Sequence, residues 1–223
     1  MVAIVILNWN GAEYLQKFLP KLIEHTQMSD VEIVVADNAS SDNSLQMLAT
    51  EFPTVKVIIL EKNFGFAEGY NKALLQLKSE YFLLLNSDVE VSENWLFPLL
   101  DFMRENPKVA VCQPKIRSFH ARDYFEYAGA SGGFIDKFGY PFCRGRVLGN
   151  LEKDDGQYDD VARIFWATGA CFLVRAEVRV SSAVPCAYSL PDATHFPIHS
   201  HRAQLSLDGV HPCGVVTRPS WTQ

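Results

Sequence analysis

The chain has no glycine-rich phosphate cradle: G-x-G-x-x-G does not follow its first apolar run, and G-x-x-x-x-G-K-[ST] is absent. Both motifs work by wrapping backbone amides around phosphate oxygens. The usual glycine cradles are therefore missing, and the lack of the first argues against a Rossmann-like oxidoreductase. No apolar run is long enough to cross a bilayer. The start, Met1 to Leu7, lacks a basic flank and meets Asn8 too early for a signal peptide, so the cytoplasm is the expected location. Five cysteines without regular spacing make neither a disulfide framework nor a zinc site and read as reduced thiols. There is no surplus of bases. The formal net charge of −6 disfavours nonspecific attraction to nucleic acid, and no nucleic-acid partner is expected.

A more local shortage marks the last stretch. From about Val178 to Gln223 there is no Glu or Lys, and the only acids are Asp192 and Asp208. The same stretch holds five of the eleven prolines and four of the six histidines. Neither helical nor strand periodicity persists in it. The expectation is an atypical tail over 178–223, disordered or produced by a frameshift or truncation. His195, His199, His201 and His211 look superficially like a metal cluster, but no carboxylate or cysteine framework accompanies them.

What is present is ordinary for a globular domain: 223 residues, 48% hydrophobic and 21% charged, enough for one sizeable core. Val2 to Leu7, Val31 to Ala36, Val55 to Leu60 and Tyr81 to Leu85 are short apolar runs that predict buried strands. Between them, Leu15, Phe18, Leu19, Leu22 and Ile23 recur at helical spacing. Ser40-Ser41-Asp42 offers a cap for a second helix, and Ala67, Ala73, Leu74 and Leu77 mark a third. Strand alternating with helix predicts βαβ units and an α/β fold: a mostly parallel central sheet with helices on both faces. A helix over Trp95 to Met103 and a strand over Val109 to Ile116 follow. Ala128 to Tyr140, rich in glycine and aromatics, reads as hairpins and loops, and the acidic run Asp154 to Asp160 reads as a solvated loop.

Each predicted strand of the first half ends in polar residues: Asn8-Trp9-Asn10-Gly11, Asp37-Asn38-Ala39-Ser40, Glu61-Lys62-Asn63 and Asn86-Ser87-Asp88. In an open α/β sheet the ligand binds beyond the carboxyl ends of the parallel strands, so these tips should share one rim. Without glycine cradles, phosphates need another source of positive charge. Asp88 beside Asn86 suits a divalent cation, since Mg²⁺ is held by one or two carboxylates together with substrate phosphates. Asp37 would accept from a base or ribose, or else cap the following helix. Asp88 also fits an ordinary turn. Gly65 and Gly69 allow either close backbone approach or simple packing, and Trp9 suits a pocket wall or a core position.

Four segments make the pattern specific: Ile4-Val5-Ile6-Leu7-Asn8-Trp9-Asn10-Gly11, Val35-Ala36-Asp37-Asn38-Ala39-Ser40-Ser41-Asp42, Asn63-Phe64-Gly65-Phe66-Ala67-Glu68-Gly69-Tyr70-Asn71 and Leu84-Leu85-Asn86-Ser87-Asp88. In order and spacing they resemble family 2 glycosyltransferases of the GT-A fold, especially the bacterial rhamnosyltransferase-like branch. Trp166-Ala167-Thr168-Gly169-Ala170-Cys171-Phe172-Leu173-Val174-Arg175 resembles that family's acceptor-side strand. The resemblance covers roughly residues 1 to 177: a donor half to about residue 107 and an acceptor-side part over about 108–177, with the acceptor half incomplete.

The resemblance implies a Rossmann-like nucleotide-diphospho-sugar transferase. It implies inverting transfer from a nucleotide-diphosphate sugar to a glycan or lipid-linked acceptor, a role in cell-wall or polysaccharide biosynthesis, and peripheral association with the inner face of a membrane. Asp37 would contact the base. Asn8, Asn10, Asn38, Gly65, Asn71, Asn86 and Ser87 would line the donor pocket. Asp88 would hold Mg²⁺ or Mn²⁺ at the D-x-D position, where Asn86 replaces the first carboxylate. Trp166 and Gly169 would lie on the acceptor side. The family's general base comes from an acidic stretch shortly after the Gly-Ala-Cys-like strand, and here the pattern stops after Glu177. The resemblance therefore leaves the base unassigned. An inactive nucleotide-sugar-binding fragment is the alternative.

Overall fold

The computed structural model describes residues 1–127, 129–181, 205–207 and 212–217. The first half runs β1 (Val2–Asn8), α1 (Ala12–Glu24), β2 (Val31–Asp37), α2 (Ser44–Glu51), β3 (Lys56–Ile59), α3 (Gly65–Leu74) and β4 (Tyr81–Leu85). Then come β5 (Val89–Val91), α4 (Phe97–Glu105), β6 (Val109–Pro114) and β7 (Arg117–Ser118). A run of short strands follows: β8 (Gly133–Ile135), β9 (Pro141–Cys143), β10 (Arg146–Val147), β11 (Asn150–Leu151) and β12 (Ala162–Arg163). The described chain ends with β13 (Cys171–Arg175), α5 (Ala176–Ser181), β14 (Leu205–Leu207) and β15 (Pro212–Thr217).

The main sheet has the order β12-β15-β6-β13-β4-β1-β2-β3. Strands β3, β2, β1 and β4 are parallel neighbours, as the βαβ rhythm predicts. Both faces are covered, which is why β1 reads as an unbroken apolar run rather than an alternating one. Ile4, Ile6, Val35, Leu83 and Leu85 meet Leu15, Leu19 and Leu22 of α1 and Leu99 and Leu100 of α4 on one face. Ala3, Val5, Val34, Phe82 and Leu84 meet Tyr70, Ala73 and Leu74 of α3 on the other.

Beyond β4 the order no longer follows the sequence. β13 inserts between β4 and β6, antiparallel to both. Two strands fall within the segment where the sequence shows no strand periodicity. β15 pairs with β6 and β12, and β14 pairs with β5 and β7. Hydrogen bonds to neighbours already in place impose those strands; their own side-chain pattern does not announce them. The four tail histidines lie outside the described residues.

A four-stranded sheet, β11-β10-β9-β8, stands on the second half. Trp166 holds it, since a Cβ on Gly133 would fall 2.1 Å from ring carbons of that indole. The Trp166 Nε1–H donates to the Phe134 carbonyl at 3.1 Å. The acidic run is the exposed loop the sequence suggests, except at Asp154. The Asp154 side chain is only 4% exposed, and its carboxylate lies 2.8 Å from Lys115 Nζ. A buried cation in the next layer draws that carboxylate in, and no local sequence signal marks it.

Glu90 on β5 is held by Lys21 of α1 at 2.9 Å and by Arg122 at 2.7 Å. Burial pushes its carboxyl up, but the hydrogen bonds and charges of Lys21 and Arg122 together win and hold it below the ordinary 4.5. Its contribution is complete above the unfolded-state pKa and is lost as pH falls through the lower folded-state pKa. Glu90→Gln should therefore lower stability by about 1 kcal/mol at neutral pH. The difference from wild type should shrink to nothing in urea titrations carried progressively below pH 4.5. A gap independent of pH would contradict this account.

Candidate functional site

The connections from β1 to β2 to β3 run toward one edge of the sheet, and the chain then returns to β4 on the other side of β1. The crevice at such a reversal is where α/β sheets take ligands. The tips of β1 and β4 meet there. A Cβ on Gly11 would fall 2.5 Å from Asn8 Oδ1 and 3.6 Å from Ser87 Oγ. The ladder between β1 and β4 ends at Ile6 and Leu85. Just beyond, the buried Tyr70 hydroxyl donates to the Leu85 carbonyl at 3.1 Å and accepts from the Leu7 amide at 3.4 Å. Tyr70 thus satisfies the backbone where the strands part, a role that strand and helix patterns do not reveal.

Asn8 and Asp37 sit opposite each other at the ends of β1 and β2, both fully buried. Asn8 Nδ2 donates to Asp37 Oδ2 at 3.0 Å and to Ser40 Oγ at 3.2 Å. Asp37 Oδ1 accepts from the Ser40 amide at 2.9 Å. This fixes the turn through Ala39, whose φ of 60° is a left-handed conformation costly for a residue with a Cβ. Asn10, with φ of 51°, accepts from the Ser41 amide at 2.7 Å. Asn38 Nδ2 donates to Asn63 Oδ1 at 2.9 Å and to the Gly65 carbonyl at 3.0 Å. Three strand tips are thereby knitted into one rim.

Asp42 does more than the sequence suggests. It binds the Ser44 amide at the start of α2 and the Ala12 amide at the start of α1, each at 3.0 Å. Burial raises its pKa, but these hydrogen bonds outweigh burial and leave it lowered, so an anion stands at two helix N-termini.

Asn8 Oδ1 is buried and has no hydrogen-bond partner among the described residues. Such an atom carries the full cost of desolvation unless a ligand or water supplies a donor.

The family model for Glycosyl transferase family 2 matches residues 3–175. This chain belongs to that family. It is 23% identical over 193 residues to the N-acetylglucosaminyl-diphospho-decaprenol L-rhamnosyltransferase of Mycobacterium tuberculosis, covering 78% of this chain and 61% of that protein. It is 25% identical over 122 residues to the poly-beta-1,6-N-acetyl-D-glucosamine synthase of Staphylococcus epidermidis, covering 52% of this chain and 29% of that one. The chain thus spans less than two thirds of the length of either relative. In fold it is similar to the Pyrobaculum calidifontis mannosyltransferase PcManGT, solved with GDP-Man and Mn²⁺, at a TM-score of 0.56 and 16% identity. That match covers 81% of this chain and 46% of PcManGT. The S. aureus TarS 1-349 structure matches at a TM-score of 0.55 and 20% identity, covering 81% of this chain and 48% of that one. The fold is GT-A.

In this family 2 chain, Asn86, Ser87 and Asp88 are each half-buried just past β4. The Asn86 amide donates to the Ala170 carbonyl at 2.9 Å, tying that tip to the approach to β13. Among the described residues no group of three or more His, Cys, Asp or Glu side chains could hold a metal. Asp88 brings the only carboxylate of the Asn86-Ser87-Asp88 tip, so a hard cation there would draw its remaining ligands largely from a diphosphate and water. Mg²⁺ or Mn²⁺ would be held there only in that shared mode and not in a protein-only cage.

Gly65 has φ of +72° with open space where a Cβ would stand, and Asn71 is half-buried on α3. A Cβ on Gly69 would come within 3.0 Å of Leu7, so this glycine lets α3 pack on β1. Just before β13, Gly169 faces Phe66, which is 44% exposed at the start of α3; a Cβ there would come within 2.9 Å of that ring. Trp166 is used in packing the four-stranded sheet. Trp9 is 51% exposed beside the rim, which removes the core reading.

Asp37→Asn should destabilise the domain by about 1–3 kcal/mol, because an amide in place of a carboxylate sets one donor against Asn8 Nδ2 or the Ser40 amide. The double variant Asn8→Asp/Asp37→Asn restores a complementary pair and should recover most of that loss in urea denaturation. An additive double variant would show that the pair is not coupled.

Proposed function

We propose that this chain binds a nucleotide-diphosphate sugar across the β1–β4 crevice and transfers the sugar, with inversion, to a hydroxyl of a glycan or lipid-linked acceptor. The observation that carries the reading is the convergence of Asn8, Asp37 and the Ser87 tip on one rim of a family 2 chain. The relatives support the substrate class: one is named for rhamnosyl transfer to an N-acetylglucosaminyl-diphospho-decaprenol, another for synthesis of poly-beta-1,6-N-acetyl-D-glucosamine.

In this reading Asp37 acts by holding Asn8 and the turn through Ser40, and Asn8 Oδ1 accepts from the nucleotide. Asn10, Asn38, Gly65 and Asn71 shape the pocket walls around it. Asn86, Ser87 and Asp88 face the diphosphate. A divalent cation bound there would supply positive charge to the departing diphosphate. The acceptor oxygen forms a bond to the anomeric carbon, and the bond from that carbon to the phosphate oxygen breaks. The leaving diphosphate keeps the electron pair, and the acceptor's proton passes to a general base. Gly169 and Phe66 lie where the two halves of the domain approach each other, on the side assigned to the acceptor.

A second reading is donor binding without turnover. It is favoured by one observation: only Asp192 and Asp208 remain as acids after Glu177. Among the described residues no helix is long and apolar enough to cross a membrane.

A thermal-shift screen of nucleoside diphosphates and their sugars, with and without Mn²⁺, tests the reading. A true donor at one hundred times its Kd should stabilise the fold by about 2.7 kcal/mol. No response to any nucleotide with either cation would overturn donor binding. Release of free diphosphate in the presence of acceptor extract separates turnover from binding alone.

A further inference from the structure

The first turn of α3 lies over the crevice. A Cβ on Gly69 would come within 3.0 Å of Leu7 and 3.2 Å of Asn38 Nδ2, so this turn rests on the tips of β1 and β2. Phe66 and Tyr70 are four residues apart and share a helix face. Their rings meet edge to face with centres 5.0 Å apart. The Tyr70 hydroxyl marks the place where β1 and β4 part, so Phe66 is carried to the mouth of that gap. The far edge of its ring reaches the other half of the domain. A Cβ on Gly169 would fall 2.9 Å from Phe66 Cζ and 3.1 Å from Cε1. The next residue, Ala170, accepts from the Asn86 amide at 2.9 Å. The ring therefore stands beside the Asn86-Ser87-Asp88 tip.

Packing uses only part of this ring. Tyr70, one turn on, is 3% exposed, whereas Phe66 is 44% exposed. An exposed apolar side chain is ordinary on a surface. At the mouth of a crevice it is a wall for a ligand, because binding sites are lined by aromatic rings with a few polar groups among them. The approach is also open at Gly65, where nothing lies within 4 Å of the place a Cβ would take.

The chemistry of the ring selects the ligand group. A phosphate gains nothing from the negative face of a phenyl ring. A pyranose carries its hydroxyls around its rim and presents C–H bonds on its faces, and those positive C–H bonds suit the ring face. With the diphosphate at the Asn86-Ser87-Asp88 tip, the group attached beyond it is the sugar. We propose that Phe66 is a platform for the donor's pyranose, stacking on its C–H face where that tip and the Gly169 segment meet. The inference rests on the donor reading and adds to it a residue that reads the sugar and not the nucleotide.

Calorimetric titration of the full chain in Mn²⁺ tests it, pairing UDP with UDP-GlcNAc, GDP with GDP-mannose and dTDP with a dTDP-hexose. The readout is the ratio of the two Kd values in the pair that binds. Phe66→Ala and Phe66→Leu should each weaken the sugar nucleotide about fivefold relative to its diphosphate, and Phe66→Tyr should keep the wild-type ratio. Leucine keeps an apolar contact for Gly169 but has no ring face, so a purely structural role would shift both ligands together or lower only the melting temperature. An unchanged ratio in Phe66→Ala and Phe66→Leu would overturn the proposal and leave donor binding intact; a sugar of the acceptor on this ring would give that result. A wild type that binds no member of any pair would instead overturn the donor reading, and the platform with it.

Discussion

Asp88→Ala is expected to weaken cation-dependent donor binding by about a hundredfold, roughly 2.7 kcal/mol. The size follows from the composition of the tip. Asn86 and Ser87 contribute neutral oxygens, so Asp88 is the only carboxylate of the Asn86-Ser87-Asp88 tip. A divalent cation left with amide and hydroxyl ligands loses most of its electrostatic attachment to the protein. Titration of a nucleoside diphosphate by calorimetry, with and without Mn²⁺, reads the effect. The wild type should bind more tightly with the cation, and the variant should bind equally with and without it. Asp88 is half-buried, so circular dichroism should show the fold unchanged. A variant that keeps its full response to Mn²⁺ would remove Asp88 from the site.

Arg175→Met should cost about 3–5 kcal/mol of stability while leaving nucleotide affinity untouched. Arg175 is 8% exposed, and its guanidinium clasps three elements. Nε donates to the Val109 carbonyl at 2.8 Å, and Nη1 to the Tyr81 hydroxyl at 3.0 Å. Nη2 donates to the Met103 carbonyl and, at 3.2 Å, to the Asn106 carbonyl. Two of these acceptors end α4, where a cation also meets the negative end of the helix dipole. Methionine fills a similar volume but leaves those carbonyls buried without donors. Arg175 pairs with Tyr81 at the start of β4, whereas the rim lies past its end at Leu85. The two readouts should therefore separate: a lower urea midpoint with an unchanged Kd for the nucleotide. A loss of affinity matching the loss of stability would mean that the two ends of the sheet are coupled.

Much of this was legible in the residues. The apolar runs at Val2, Val31 and Tyr81 become β1, β2 and β4 with nearly the expected bounds, because strands buried on both faces leave a continuous hydrophobic signature. The polar tips Asn8, Asp37 and Ser87 fall on one rim because parallel strands place all their carboxyl ends on the same edge. The second half was less readable. Its strands from β7 to β12 are two or three residues long, too short for a period of two to register. The buried pair of Lys115 and Asp154 joins residues 39 apart, and nothing in an acidic run tells which carboxylate will be drawn inward.

By itself the sequence determined the βαβ core, the rim of polar tips and the family, because those features are carried by local periodicity and by motifs of contiguous residues. Tertiary structure alone decided that β13 enters between β4 and β6, that β14 and β15 join sheets, and that Tyr70 bridges β1 and β4. It also decided that Asp37 spends its oxygens on Asn8 and Ser40. Each of these depends on which distant backbone or side-chain group arrives within hydrogen-bonding reach, and that is set by the packing of the whole chain.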